Sequence, residues 1–91
     1  SVILFVTGKR HDILIENNSM AGIKYSINGE PYKTLDAGKK ALGISKGIGN
    51  VIVIKTADNK VIEKELPSKD INLFINQVIN NSDDWYKENV K

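Results

Sequence analysis

Asn28-Gly29 is the feature that most constrains this chain. It follows Ile23, Tyr25 and Ile27, which alternate with Lys24, Ser26 and Asn28, and such alternation marks a half-buried strand. Asn-Gly supplies the two positive-φ positions of a type I′ turn, so residues 23–27 and 30–35 predict a β-hairpin. With only those two residues in the loop, Ile27 faces Glu30 and Tyr25 faces Tyr32, which sets two aromatic rings side by side. Pro31 has no N–H to give to a ladder, so the second strand belongs at a sheet edge or begins with a bulge.

Other short β-branched runs flank this hairpin. Ile13, Leu14 and Ile15 lie between Asp12 and Glu16 and are followed by Asn17, Asn18, Ser19 and Gly22, so residues 12–16 read as a short central strand with a loop behind it. Residues 36–42 surround Gly38 and read as a turn, since glycine costs about 1 kcal/mol against alanine inside a helix. A crossing helix there would instead make an α+β fold, a ββαββ roll. The stretch from Gly43 to Gly49 is glycine-rich, and Ile44 and Ile48 are expected to plug the core from irregular backbone. Residues 51–56 are continuously β-branched and fit a strand buried on both faces. A turn at Asp58-Asn59 joins it to residues 61–66, with Lys55 opposite Ile62 and Val51 opposite Leu66.

Pro67 ends that strand and Ser68 can cap a helix. Ile71, Phe74, Ile75, Val78 and Ile79 recur at helical spacing while Asn72, Asn76 and Asn80 take the other side, which predicts an amphipathic helix over residues 68–81 lying on the sheet. Asn80-Asn81 stops it, and Ser82 before Asp83 and Asp84 predicts a further helical turn. No repeat or linker divides the chain, so residues 1–91 read as one domain. The expected fold is mainly β: a small antiparallel β-sandwich-like sheet with a C-terminal amphipathic helix.

Composition narrows the chemistry. Ninety-one residues suffice for one small core, and 13 Lys+Arg against 11 Asp+Glu leave a net charge of +2, too little to mark a nucleic-acid surface. The lack of cysteine excludes a disulfide framework, a thiolate metal site and thiol catalysis, and no cofactor is expected. His11 is the one imidazole, the side-chain type suited to acid/base work, but catalysis needs a carboxylate or nucleophile beside it, and Asp12 points to the opposite face of a strand. Asp83, Asp84 and Glu88 place two acids on one helix face, yet they lack the spacing of a calcium loop and fit a helix start responding to its dipole. The glycines at 43–49 lack the lysine and hydroxyl residue of a phosphate loop and run into a strand.

These readings predict no enzyme; the alternative is a small hydrolase or cation-dependent enzyme using His11 or the Asp83/Asp84 pair. The candidate interaction surface is basic, with Lys9, Arg10, Lys39, Lys40 and Lys46 suited to an anionic headgroup or protein partner. Trp85 and Tyr86 join it as an interface hot spot, or else staple the tail to the core.

Residues 2–6 are apolar and lead into Gly8, Lys9, Arg10 and His11. They are far short of the roughly 20 apolar residues that cross a hydrocarbon core. Residues 1–7 are therefore either a first strand or the remnant of an upstream membrane anchor flanked by positive charge. As an edge strand, residues 2–6 would favour antiparallel strand addition between two copies, giving a weak homodimer.

The run Phe5 through His11, then Ile13 through Asn17, the Asn28-Gly29 hairpin, Val51 through Ile54 and Ile62 through Leu66 together resemble a family of small bacterial membrane-anchored proteins of unknown function. Members carry one N-terminal signal anchor and a short β-rich domain outside the cytoplasm. The resemblance covers residues 1 to about 66 and rests on apolar spacings and turns. It implies a tethered, extracytoplasmic domain and assigns no catalytic residues. The expected function is non-catalytic binding or scaffolding of unknown specificity.

Overall fold

A computed structural model describes residues 10–46 and 49–89. Apolar residues alternate along most segments between turns, and strands follow. In chain order the elements are β1 (Arg10–Glu16), β2 (Ile23–Ile27), β3 (Lys33–Leu35), β4 (Lys40–Lys46), β5 (Val51–Lys55), β6 (Val61–Glu65), β7 (Ile71–Phe74), α1 (Ile75–Ile79) and β8 (Tyr86–Glu88). Among the described residues the strands form two four-stranded sheets, ordered β4-β1-β7-β8 and β3-β2-β5-β6. The pairing of β1 with β7 is parallel, and the other pairings are antiparallel. Ile13, Ile15, Ile71 and Leu73 of the first sheet share one core with Tyr25, Ile27, Ile52 and Ile54 of the second, and Ile75 and Val78 of α1 complete it. The fold is a mainly β sandwich with β1 as an inner strand. No helix of the described residues is long and apolar enough to cross a membrane.

Both hairpins form, each one residue away from the expected register. Asn28 and Gly29 adopt φ of 55° and 79°, and Glu30 N–H donates to Ile27 O at 3.2 Å, closing the two-residue turn. Beyond the turn Tyr25 faces Lys33 instead of Tyr32, so the returning strand carries one extra residue. Pro31 lies in that bulge, and β3 is an edge strand. The shift separates the two tyrosines: Tyr25 is buried, whereas Tyr32 is 48% exposed. In the second hairpin Thr56 N–H donates to Lys60 O at 2.9 Å, and Asn59 takes φ of 65°. The loop is residues 57–59, one residue shorter than the expected pairs leave. Lys55 therefore faces Val61, and Val51 faces Glu65, correcting the expected pairs. β5 is sealed on one face only, through Ile52 and Ile54, because among the described residues no further layer covers its sheet; Val51, Val53 and Lys55 are half-buried.

Two further expectations change. Residues 36–39 turn around Gly38, whose φ is 77°, so no crossing helix and no roll form. The backbone then continues as regular strand β4, which makes Gly43 and Ser45 ladder residues and turns Ile44 outward, 40% exposed, instead of into the core. Ile48 and residues 1–7, with the expected first strand, anchor remnant and dimer edge, lie outside the described residues.

The larger correction is at the expected 68–81 helix, where the first apolar residues are strand. Ile71, Leu73 and Ile75 are buried at every second position, a period that their coincidence with helical spacing conceals. Only Ile75–Ile79 are helical, and Ser68 does not cap them: Asn18 Oδ1, from the loop after β1, accepts the Asn76 N–H at 2.8 Å. Asn80-Asn81 does end the helix. Asn81 takes φ of 55°, its N–H donates to Val78 O, and Ser82 N–H donates to Gln77 O, a Schellman arrangement with asparagine in place of glycine. The tail then forms β8 against β7, not another helical turn.

Candidate functional site

β4 lies at the edge of its sheet and has an uncommon distribution of side-chain size. Its core-facing positions are Ala41, Gly43 and Ser45, while Lys40, Leu42, Ile44 and Lys46 point outward. Gly43 has a packing reason: a Cβ there would sit 2.5 Å from Ile27 Cδ1, so the Ile27 side chain lies directly over the glycine and draws β4 toward β2. Leu42 stays 61% exposed on the other face.

A groove of about 440 Å³ runs between the free side of β4 and the bulged return of the first hairpin. Leu42, Ile44 and Lys46 form one wall, and Tyr25, Glu30, Pro31 and Lys33 the other, with Arg10 at one end. Arg10 stands directly opposite Lys46 in the β1–β4 ladder, a like-charge pair that destabilises unless something offsets it. Among the described residues Arg10, Lys33 and Lys46 have no acid within ion-pair distance. Lys40, at the far end of the same strand, is held by Glu16 at 3.6 Å.

The basic and aromatic residues expected at an interaction surface fall into three places. Arg10 and Lys46 share the groove; Lys39 and Lys40 lie at the other end of β4, exposed; Lys9 is outside the described residues. Trp85 and Tyr86 sit beside β7 on the opposite edge of the sheet. There Trp85 stacks edge-on against Tyr86 with ring centroids 4.6 Å apart, lies under Lys64 Nζ at 5.6 Å and accepts the Phe74 N–H through its carbonyl. Those contacts tie the tail to both sheets. Lys33 and Glu30 were not singled out by sequence; only the hairpin bulge brings them to the groove.

The candidate chemistry does not converge. His11 Nδ1 approaches Asp70 Oδ1 at 3.6 Å, beyond hydrogen-bond length, while that oxygen accepts the Asp12 N–H at 2.8 Å. Ser45 pairs with His11 across the ladder, but its Oγ is sealed from solvent and has no hydrogen-bond partner among the described residues. Asp83 and Asp84 are exposed in a turn, Ser82 Oγ donates to Asp84, and Glu88 belongs to a strand, so the shared helix face expected for residues 84 and 88 does not exist. Among the described residues no three His, Cys, Asp or Glu side chains gather to hold a metal ion. The chain matches no protein-family model, no curated protein and no solved structure.

Proposed function

We propose that this domain is a non-catalytic binding or scaffolding module that holds a protein segment in the groove beside β4, and that it works outside the cytoplasm at a membrane surface. One observation carries the binding reading: Arg10, Lys33 and Lys46, without acidic partners among the described residues, converge beside the exposed side chains of Leu42 and Ile44. Unbalanced cations next to exposed apolar surface are unfavourable in an isolated domain and favourable in a complex that supplies acids and covers the apolar side chains. The apolar residues 2–6 followed by Lys9 and Arg10 support the membrane placement.

Panning a library of displayed random peptides on the immobilised domain tests the binding reading. We expect a sequence family that is enriched on the native chain and lost on the Lys46→Glu variant. Equal recovery from both would remove the groove as the binding site. The hydrolase alternative draws less support, since the hydroxyl of Ser45, opposite His11 in the β1–β4 ladder, is sealed from solvent. A turnover in a screen of esters and phosphoesters that disappears in His11→Ala would favour it.

A further inference from the structure

Among the described residues four strands end a sheet, and three of them resist the addition of another strand. β3 and β8 are three residues each, too short to template much, and β6 carries Glu63, Lys64 and Glu65 along its length. β4 differs on both counts, being seven residues long with Leu42 and Ile44 exposed at its middle. Its charges lie at the ends, Lys40 and Lys46. That placement discriminates between occupants. Two copies joined antiparallel about Gly43 would bring Lys40 against Lys46 twice, with Arg10 beside each pair, and like charges directly opposite are destabilising. A strand carrying carboxylates reverses the sign of every one of these contacts, and near Lys46 it finds two cations that have no acidic partner among the described residues, Arg10 and Lys33.

We propose that the outer edge of β4, which pairs with no strand among the described residues, receives an extended acidic peptide as a further strand, with its carboxylates against Arg10, Lys33 and Lys46 and its apolar residues over Leu42 and Ile44. The inference rests on the binding-module reading and specifies the ligand class and the mode of recognition. Main-chain hydrogen bonds along β4 supply affinity that is independent of sequence, and the side chains read alternate residues of the ligand. Gly43 matters indirectly. By letting Ile27 cross beneath the strand, it keeps β4 flat against the core at the point where the peptide would lie.

The test uses the full chain and a fluorescent seven-residue peptide matched to β4, with glutamate, valine, valine and glutamate at its alternate positions 1, 3, 5 and 7 and threonine between them, so that both glutamates and both valines share the face of Lys40, Leu42, Ile44 and Lys46. Fluorescence anisotropy should show saturable binding that weakens with added salt and drops about tenfold or more in Lys46→Glu, where the new carboxylate neutralises Arg10 and occupies the anion position. A peptide with lysine in place of glutamate should not bind. Two further probes carry N-methyl groups on alternate residues, one on each edge of the extended peptide. An added strand uses one edge only, so one probe should lose binding while the other keeps it. If both N-methylated probes bind like the parent, the peptide is held by side chains alone; strand addition is then wrong while the groove-binding reading stands. If the lysine peptide binds as well as the glutamate one, or no probe binds, the inference fails, and the peptide panning separately decides the broader reading. A native chain that sediments as a dimer with its β4 amides protected from exchange would assign the edge to a second copy and also overturn it.

Discussion

Several asparagines do structural work for which composition gives no warning. Asn17 is buried, and its side chain closes a loop junction: Nδ2 donates to Ala21 O and Leu35 O, both at 2.9 Å, and Oδ1 accepts the Ser19 N–H at 3.1 Å. All of its side-chain hydrogen-bonding groups therefore find partners, as burial demands. Asn17-Asn18-Ser19 also fits a glycosylation acceptor pattern, and burial of Asn17 removes that reading for the folded chain. Thr56 and Asp58 offer a titratable counterpart. Thr56 Oγ1 donates to the exposed Asp58 carboxylate, which with help from the Asp58 backbone N–H and the Lys60 charge holds its pKa below the ordinary carboxylate value. Because the folded-state value is the lower one, the stabilisation is present above the unfolded carboxylate range and is lost as pH falls through the folded value. Thr56→Val should raise the Asp58 pKa toward the ordinary value in an NMR titration of the carboxyl carbon; an unchanged midpoint would remove the hydroxyl as its main cause.

Elements were legible where turn chemistry and alternation agreed, and misread where two periods fitted the same residues. Both hairpin turns are visible in the sequence through Asn28-Gly29 and Asp58-Asn59, but the register is not, because a single bulge or a three-residue loop shifts every cross-strand pair by one. Ile71, Phe74, Ile75 and Val78 satisfy helical spacing, while Ile71, Leu73 and Ile75 satisfy strand spacing; the parallel partner that selects the strand, β1, lies far away in the chain. β4 was unreadable for a different reason: its core-facing residues are small and its exposed ones apolar, the reverse of the usual pattern. The candidate site follows from that inversion, so sequence revealed only Arg10 and Lys46 of its cations. The strand assignment makes a sharp prediction. Leu73 is fully buried and Phe74 only half-buried, so Leu73→Ala should cost about 2–5 kcal/mol and Phe74→Ala distinctly less, although phenylalanine is the larger side chain. Urea midpoints for the two variants in the reverse order would restore the helical face.

At the scale of the whole molecule, the chain closes its core with its last third. β7 and α1 contribute Ile71, Leu73, Ile75 and Val78, four of the thirteen buried apolar residues in the described structure. β7 lies against β1, so Ile13 meets Ile71 and Ile15 meets Leu73 across 57 residues of intervening chain. Fully burying one such side chain contributes about 1.5–3 kcal/mol. Losing four therefore removes on the order of 6–12 kcal/mol, comparable with the entire stability of a small domain at about 5–15 kcal/mol. A chain ended after Leu66 should lack a cooperative urea transition and dispersed amide signals, although it retains both hairpins, because Ile13 and Ile15 would face water where β7 belongs. Adding residues 67–89 as a separate peptide should restore the dispersion, since the parallel ladder and the Asn18 cap on α1 both form between segments remote in the chain. A cooperative transition in the shortened chain alone would show that the second sheet organises a core without β7, and that the C-terminal third is an accessory to the fold.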